Sequence, residues 1–401
     1  MTKRIFITGT GIISAMGNDT RANLASLLDS RSGIGEITLL KTILAKLPIA
    51  QVKKTTDELL EMTGQPGSRD FTRTALLGMI AAKEALESAG IHDVKAHRTG
   101  LLSATTVGGM SRSEDFYKLY LENNCKGRLR DVINHDCGDA TERIADYTGI
   151  TGFMTTISTA CSSSANAIMT GAMMIRAGLV DRVLAGGTDG LTRFTLNGFN
   201  TLMILDKNGC RPFDDNRAGL TLGEGAAFVV LESEELARKE KKNILAEVSG
   251  FGNANDAYHQ TASSPEGTGA RMAMQKALMM SGLKTTDISY INVHGTGTAN
   301  NDLSEGFAME ALFGDHVPPF SSTKPYTGHT LGAAGSVEAV ISVLAINHGV
   351  IFPNLRFETP MKELKIRPVT QLQKNVAVNH VLSNSFGFGG NNSTLILSKV
   401  Q

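Results

Sequence analysis

Apolar positions along the chain fall into short runs that alternate with longer segments of helical spacing. Runs at 3–8, 98–104, 153–158, 181–186, 225–232, 244–250, 289–293, 376–383 and 393–399 predict strands. Between them, apolar residues recur every three or four positions over 70–89, 161–177, 267–281, 302–313 and 330–348, which predicts helices. Such alternation predicts an α/β fold. Residues 153–158 are apolar and β-branched and read as a buried strand. The charged run Glu234–Lys242 reads as a solvated helix end. The stretch 331–352 is strongly apolar but carries Glu338, Asn347 and His348, so it reads as a buried helix and not as a membrane span.

The pattern echoes itself. A strand, a reactive residue and a small-residue helix occupy 153–177. A second small-residue helix follows Lys324 and His329 and runs through Gly332, Ala333, Ala334 and Gly335. Each helix ends at a glycine, Gly178 and Gly349. The echo predicts two similar α/β halves, 1–240 and 241–401, whose helix N-termini face each other and whose helices pack closely in a buried middle layer.

Composition narrows the function. Thirty-nine basic and thirty-nine acidic residues cancel, which argues against bulk attraction to nucleic acid or to a membrane. The four cysteines, Cys125, Cys137, Cys161 and Cys210, are scattered with no C-x-x-C pair, so neither a disulfide framework nor a zinc knuckle is expected. The chain enters its first strand without a signal-peptide apolar region. These features predict a protein of a reducing compartment, the cytoplasm. Gly9-Thr-Gly11 lacks the third glycine of a dinucleotide loop, and no phosphate loop or His-rich metal motif occurs, so no metal or bound cofactor is expected.

Cys161 carries the chemistry. It sits where the strand 153–158 gives way to a helix. The N–H groups and dipole of a helix N-terminus favour thiolate over thiol, and the thiolate is the nucleophile. Four separated segments complete a constellation: Thr159-Ala-Cys161-Ser-Ser-Ser164; His294-Gly-Thr296-Gly-Thr298 with Asp302 and Glu305 beyond it; Ser321-Ser-Thr-Lys324 with Thr-Gly-His329; and Ser383-Asn-Ser-Phe386-Gly-Phe388-Gly-Gly-Asn-Asn392.

In order and spacing these segments resemble the β-ketoacyl-acyl-carrier-protein synthases of the elongating type I/II kind. The resemblance covers nearly the whole chain and includes Arg211-Pro-Phe-Asp214 and Gly223-Glu-Gly-Ala226. It implies a thiolase-like fold, a five-layered αβαβα sandwich. It also implies decarboxylative Claisen condensation of an acyl thioester with malonyl-acyl carrier protein. Cys161 would take the acyl chain. His294 and His329 would bind the malonyl thioester carbonyl, because decarboxylation needs donors for the developing enolate oxygen. Lys324 would organise the charge with Glu305 as its counter-ion.

Thr296 and Thr298 would hydrogen-bond the phosphopantetheine arm, which arrives on the carrier. Phe388 would gate the acyl pocket beside Phe386 and lend its N–H to the oxyanion hole. Val107 would shape chain-length choice. The acidic carrier protein would dock on a local basic patch, for which Arg69, Arg73, Lys126, Arg128, Arg130 and Lys207 are candidates.

Two positions depart from the pattern. Ser158 stands where many members have Asp, and Asn391 where Thr is usual. Neither is expected to touch the catalytic set, and both hint at a branch outside housekeeping fatty-acid elongation. Two pathway readings stay open: fatty-acid elongation, and a type II polyketide or aryl-polyene system. A homodimer is expected, with a heterodimer as the alternative. A thiolase would need a second cysteine near the C-terminus, and the last cysteine here is Cys210. An initiating synthase would have Asn in place of His329. A non-catalytic partner subunit would lack Cys161.

Overall fold

The computed structural model describes residues 3–400. Its strands are β1 (Ile5–Ser14), β2 (Thr99–Ala104), β3 (Met154–Ile157), β4 (Arg182–Asp189), β5 (Gly225–Ser233), β6 (Ala246–Asn255), β7 (Tyr290–Asn292), β8 (Phe320–Ser321), β9 (Val350–Ile351), β10 (Gln373–Lys374), β11 (His380–Phe386) and β12 (Asn391–Ser398). Ten of them form one sheet in the order β3-β2-β4-β5-β1-β6-β12-β11-β7-β8, and β9 and β10 form a separate two-stranded antiparallel sheet.

The order reads as two copies of one motif. In the first half β3-β2-β4 is parallel, and β5 and β1 add antiparallel. In the second half β8-β7-β11 is parallel, and β12 and β6 add antiparallel. The copies join where Phe6 and Ile7 of β1 pair with Glu247 and Ala246 of β6. The internal echo is thus a repeated topology.

Helices complete five layers. Arg73–Ser88 buries Leu76, Leu77 and Ala81 on the outer face of the first half. Thr268–Ser281 and Ala299–Phe313 cover the outer face of the second. Between the halves, Ser163–Arg176 and Ala334–His348 share one core with strands of both. Small residues let these two helices touch: a Cβ on Gly335 would lie 2.7 Å from the backbone N of Ala165. The apolar stretch Leu331–His348 is 89% buried in this middle layer, as expected for a core helix.

Several sequence expectations need correction. Residues 153–158 are not a buried strand. β3 lies at the sheet edge with β2 as its neighbour, and Phe153 and Met154 are 50% and 40% exposed. The predicted strand 376–383 begins only at His380, and β1 runs on to Ser14 through a register shift between Ile7 and Gly9. The structure adds the helices Thr20–Leu28, Thr56–Met62, Met110–Glu122, Cys137–Thr148 and Arg193–Thr201, which the apolar spacing does not mark.

Candidate active site

The entries to the two middle-layer helices bring Cys161 and His329 together, and the loop after β7 adds His294. Cys161 stands on a tight elbow between β3 and Ser163–Arg176. The residue before it, Ala160, has φ of 53°, a left-handed conformation costing about 1–3 kcal/mol. Serines hold the elbow: Ser163 Oγ accepts from Thr159 N at 2.8 Å and donates to the Ala160 carbonyl at 2.5 Å, and Ser162 Oγ donates to the Thr159 carbonyl at 2.8 Å. The second half repeats the device, with Leu331 at φ 52° entering the helix Ala334–His348.

Cys161, His294 and His329 are buried side by side. His329 Nε2 lies 3.0 Å from Cys161 Sγ. The two imidazoles meet edge to face with ring centroids 5.4 Å apart, and Phe386 lies 5.7 Å from His294. Burial lowers both imidazoles well below their ordinary value, and the charge of Lys324 adds to it, so both are neutral near pH 7. Burial also pushes the Cys161 thiol up to about 11, opposed by Lys324 and by the backbone N–H of Phe388. Desolvation therefore opposes the preference for thiolate that the helix N-terminus lends. A helix terminus typically contributes about 0.3–1 kcal/mol, under one pH unit, and desolvation outweighs it. The thiol keeps its proton until a base takes it, and His329 is within reach.

The counter-ion of Lys324 is also corrected. Its ammonium lies 2.5 Å from Glu338 Oε1, not beside Glu305, and both side chains are almost fully buried. It also donates to the His294 carbonyl at 2.5 Å and faces His294 Nδ1 at 3.3 Å. Glu305 instead accepts from the backbone N–H groups of His294 and Gly295 and from Asn384 Nδ2. It shapes the loop that carries His294. Burial pushes Glu305 up to about 7 and Glu338 up to about 6. Glu338 was missed as a partner, although a single carboxylate inside an apolar helix was its signal.

A cleft of about 240 Å³ opens onto Cys161, His294 and His329. Thr296 and Thr298 line it, their hydroxyls 2.9 Å apart, together with Phe386 and Phe388. The Phe388 ring stacks on Phe199 at 5.9 Å, a neighbour that no sequence motif flagged. Val107 is buried in an apolar cluster with Leu191, Leu196, Leu220 and Leu331. The thiol and the two imidazoles approach within 4.8 Å, a spacing that could also suit a soft metal ion, but the Lys324 ammonium beside His294 opposes a cation there.

The basic candidates separate. Arg73 does not belong to an open patch, because Glu224 and backbone carbonyls engage its guanidinium. Arg69 and Lys207 are exposed. Arg128 pairs with Asp131, Arg130 with Asp70 and Lys126 with Glu122. Asn391 lies closer to the nucleophile than expected: its Oδ1 accepts from Asn253 at 2.9 Å and from Asn166 at 3.0 Å and lies 2.7 Å from Ser162 Oγ, whose one proton it shares with the Thr159 carbonyl.

Known proteins carry the same architecture. Residues 2–237 match the beta-ketoacyl synthase N-terminal domain, and residues 245–358 the C-terminal domain. The 3-oxoacyl-[acyl-carrier-protein] synthase 2 of Staphylococcus aureus (strain N315) is 33% identical, aligned over 100% of this chain and 99% of its own. That of Coxiella burnetii is 34% identical over 99% of each. Among solved structures, the ishigamide ketosynthase/chain length factor superposes with a TM-score of 0.93 at 30% identity, covering both chains completely. The ketosynthase ApeO in complex with its chain length factor ApeC, from Xenorhabdus doucetiae, does so at 0.84 and 30%, covering 99% of this chain and 98% of that one. With a buried Cys-His-His cluster at the meeting of two repeated halves and both family domains in order, the chain belongs to the β-ketoacyl synthase family, the acyltransferases of thiolase-like fold.

Proposed function

We propose that this protein is a 3-oxoacyl-[acyl-carrier-protein] synthase that elongates an acyl chain by decarboxylative condensation. The observation that carries this reading is the neutral His294–His329 pair beside Cys161, with Lys324 behind it.

The chemistry runs in two half-reactions. First, Cys161 Sγ attacks the thioester of an acyl-carrier protein while His329 Nε2 takes the thiol proton. The tetrahedral oxyanion accepts from the backbone N–H groups of Cys161 and Phe388. The carrier thiol then leaves with the proton, and the acyl group stays on Cys161. Second, a malonyl thioester occupies the cleft lined by Thr296 and Thr298. Its carbonyl oxygen accepts from the Nε2–H of His294 and, once the neutral imidazole has exchanged its proton from Nδ1 to Nε2, from His329, the bond to the carboxylate breaks, and CO2 departs. The resulting enolate carbon attacks the Cys161 thioester, and Cys161 leaves as a thiolate that regains its proton from water.

Lys324 sets the tautomer that this step needs. Its ammonium donates toward His294 Nδ1, so the single proton of neutral His294 sits on Nε2, where it can be donated to the enolate. Glu338 holds the ammonium, and Glu305 holds the loop.

The carrier protein docks from the cleft mouth, with Lys207 on the segment that follows Ile204 of the cleft lining and Arg69, Lys126, Arg128 and Arg130 as further basic contacts. No bound cofactor is required. The halves 1–240 and 241–401 act as one catalytic unit, in the cytoplasm, as a homodimer. A second reading keeps the chemistry and changes the setting to a polyketide or aryl-polyene pathway with a chain-length partner. It is favoured by the likeness to the two ketosynthase/chain length factor structures. The test is release of labelled CO2 from malonyl-carrier protein labelled at the free carboxyl. The wild type should release it, and His294→Ala should lose most of that rate. Equal rates in the two would sink the assignment.

A further inference from the structure

The end of β4 carries a buried carboxylate that none of this chemistry uses. Asp189 is fully buried. Its Oδ1 accepts from Thr105 Oγ1 at 2.5 Å, from Thr106 N at 3.0 Å and from Val107 N at 3.0 Å. Its Oδ2 accepts from Thr106 Oγ1 at 2.8 Å and from Gly332 N at 2.7 Å. These partners are hydroxyls and backbone N–H groups. They come from two places: the loop after β2 in the first half, and the entry to the middle-layer helix Ala334–His348 in the second.

Both places contribute to the same apolar cluster. Val107 and Leu331 belong to one buried cluster with Leu191, Leu196 and Leu220. Leu220, with Phe199 and Ile204 packed on that cluster, also lines the cleft onto Cys161. The cluster therefore adjoins the apolar lining of the cleft, so its packing sets the shape of the wall that a chain held on Cys161 would meet. Leu331 lies two residues after His329 and is kept at φ 52°. Gly332 packs so tightly that a Cβ there would meet Asp189 Oδ2 at 2.9 Å and Thr106 at 3.2 Å. One carboxylate thus fixes two parts of this cluster to each other and to the segment that carries the base.

We propose that Asp189 is a positioning residue for acyl-chain selection: it clamps the Val107 loop to the Leu331–Gly332 turn and so sets the shape of the chain pocket relative to His329. This rests on the condensing-enzyme reading above. An amide at this position offers a donor to N–H and O–H groups that need an acceptor, so Asp189→Asn opens the clamp without changing volume. Thr105→Val removes one donor with little change in shape.

The experiment measures the rate of Cys161 acylation by intact mass across a series of saturated acyl-carrier proteins of increasing length, with melting temperature alongside. For Asp189→Asn the ratio between best and worst donor should fall about tenfold, the size of one lost buried hydrogen bond, and the optimum should move. Thr105→Val should shift the profile the same way by less, at near wild-type melting temperature. If acylation slows by one common factor at every length, Asp189 merely supports the fold and the inference is overturned. Should Asp189→Asn fail to fold, Thr105→Val and Thr106→Val decide: an unmoved profile in both overturns it. A wild type that takes no acyl group from any donor overturns the condensing reading itself, and this inference with it. A wild type that is acylated while the variants keep its profile overturns this inference alone.

Discussion

Replacing Glu338 by Gln should damage stability and decarboxylation together, for one electrostatic reason. The Lys324 ammonium is almost fully buried, and Glu338 at 2.5 Å is the carboxylate that balances it. Its other partners are the His294 carbonyl and Nδ1, which solvate a cation but do not neutralise it. Removing one member of a buried pair typically costs about 3–5 kcal/mol. For a chain of 401 residues, unfolding entropy of about 0.8 kcal/mol per kelvin converts this to a melting-temperature drop of about 4–6 °C. Unless it is held by a carboxylate, Lys324 stops fixing the Nε2–H tautomer of His294. Loss of one preorganised donor to an oxyanion typically costs about 10²–10³ in rate, so malonyl decarboxylation should fall by about that factor. The assay is calorimetric melting together with CO2 release. A control replaces both partners by apolar residues, Lys324→Met with Glu338→Leu, and should recover stability but not decarboxylation, because no buried charge is left unpaired. The reasoning is refuted if Glu338→Gln melts with the wild type and decarboxylates at its rate.

Other expectations follow from the same geometry. Glu305 keeps its proton to about pH 7 in the fold against an ordinary 4.5. Its contribution to stability is therefore fully present below pH 4.5 and is lost, by about 3 kcal/mol, as pH rises to 7. Denaturant titrations of wild type and Glu305→Gln across that window should show the wild type losing ground to the variant, and a constant gap would contradict this. With the thiol near 11, alkylation of Cys161 by iodoacetamide, read on its own peptide because Cys125 is exposed, should accelerate about tenfold per pH unit between neutrality and pH 9; a plateau at neutral pH would show a resting thiolate. Gly335→Ala places a Cβ 2.7 Å from the backbone N of Ala165. Forcing the middle helices apart should cost about 1–3 kcal/mol in denaturant unfolding, and an unchanged midpoint would mean that the helices are not in register there.

What could be read from the sequence followed from local periodicity and motif order. The helix Ser163–Arg176 was legible because its small and apolar residues keep helical spacing, and the elbow at Cys161 because strand and helix patterns meet there. The edge position of β3 was not legible, because an edge strand and a central strand share an apolar, β-branched composition and only pairing separates them. The partner of Lys324 was misread for a similar reason. Glu305 and Glu338 are both acids on helices near the site, and tertiary packing decides which one faces the ammonium. Asp189 carried no sequence signal, since a buried acid served by hydroxyls and N–H groups looks like any loop aspartate. The hydrogen bonds of Asn391 to the segment behind Cys161 were likewise hidden, because Ser162, Asn166 and Asn253 converge on it only in the folded chain.

The central claim is that Cys161 carries the growing chain. Intact-mass spectrometry tests it most directly, on purified protein fed acyl-carrier proteins of several lengths and then malonyl-carrier protein. The account predicts a mass gain of one acyl group on Cys161, absent in Cys161→Ala, followed by its loss as a β-ketoacyl product two carbons longer appears on the carrier. An elongated product formed at the wild-type rate by Cys161→Ala, or an acyl group mapped to another residue, would contradict it.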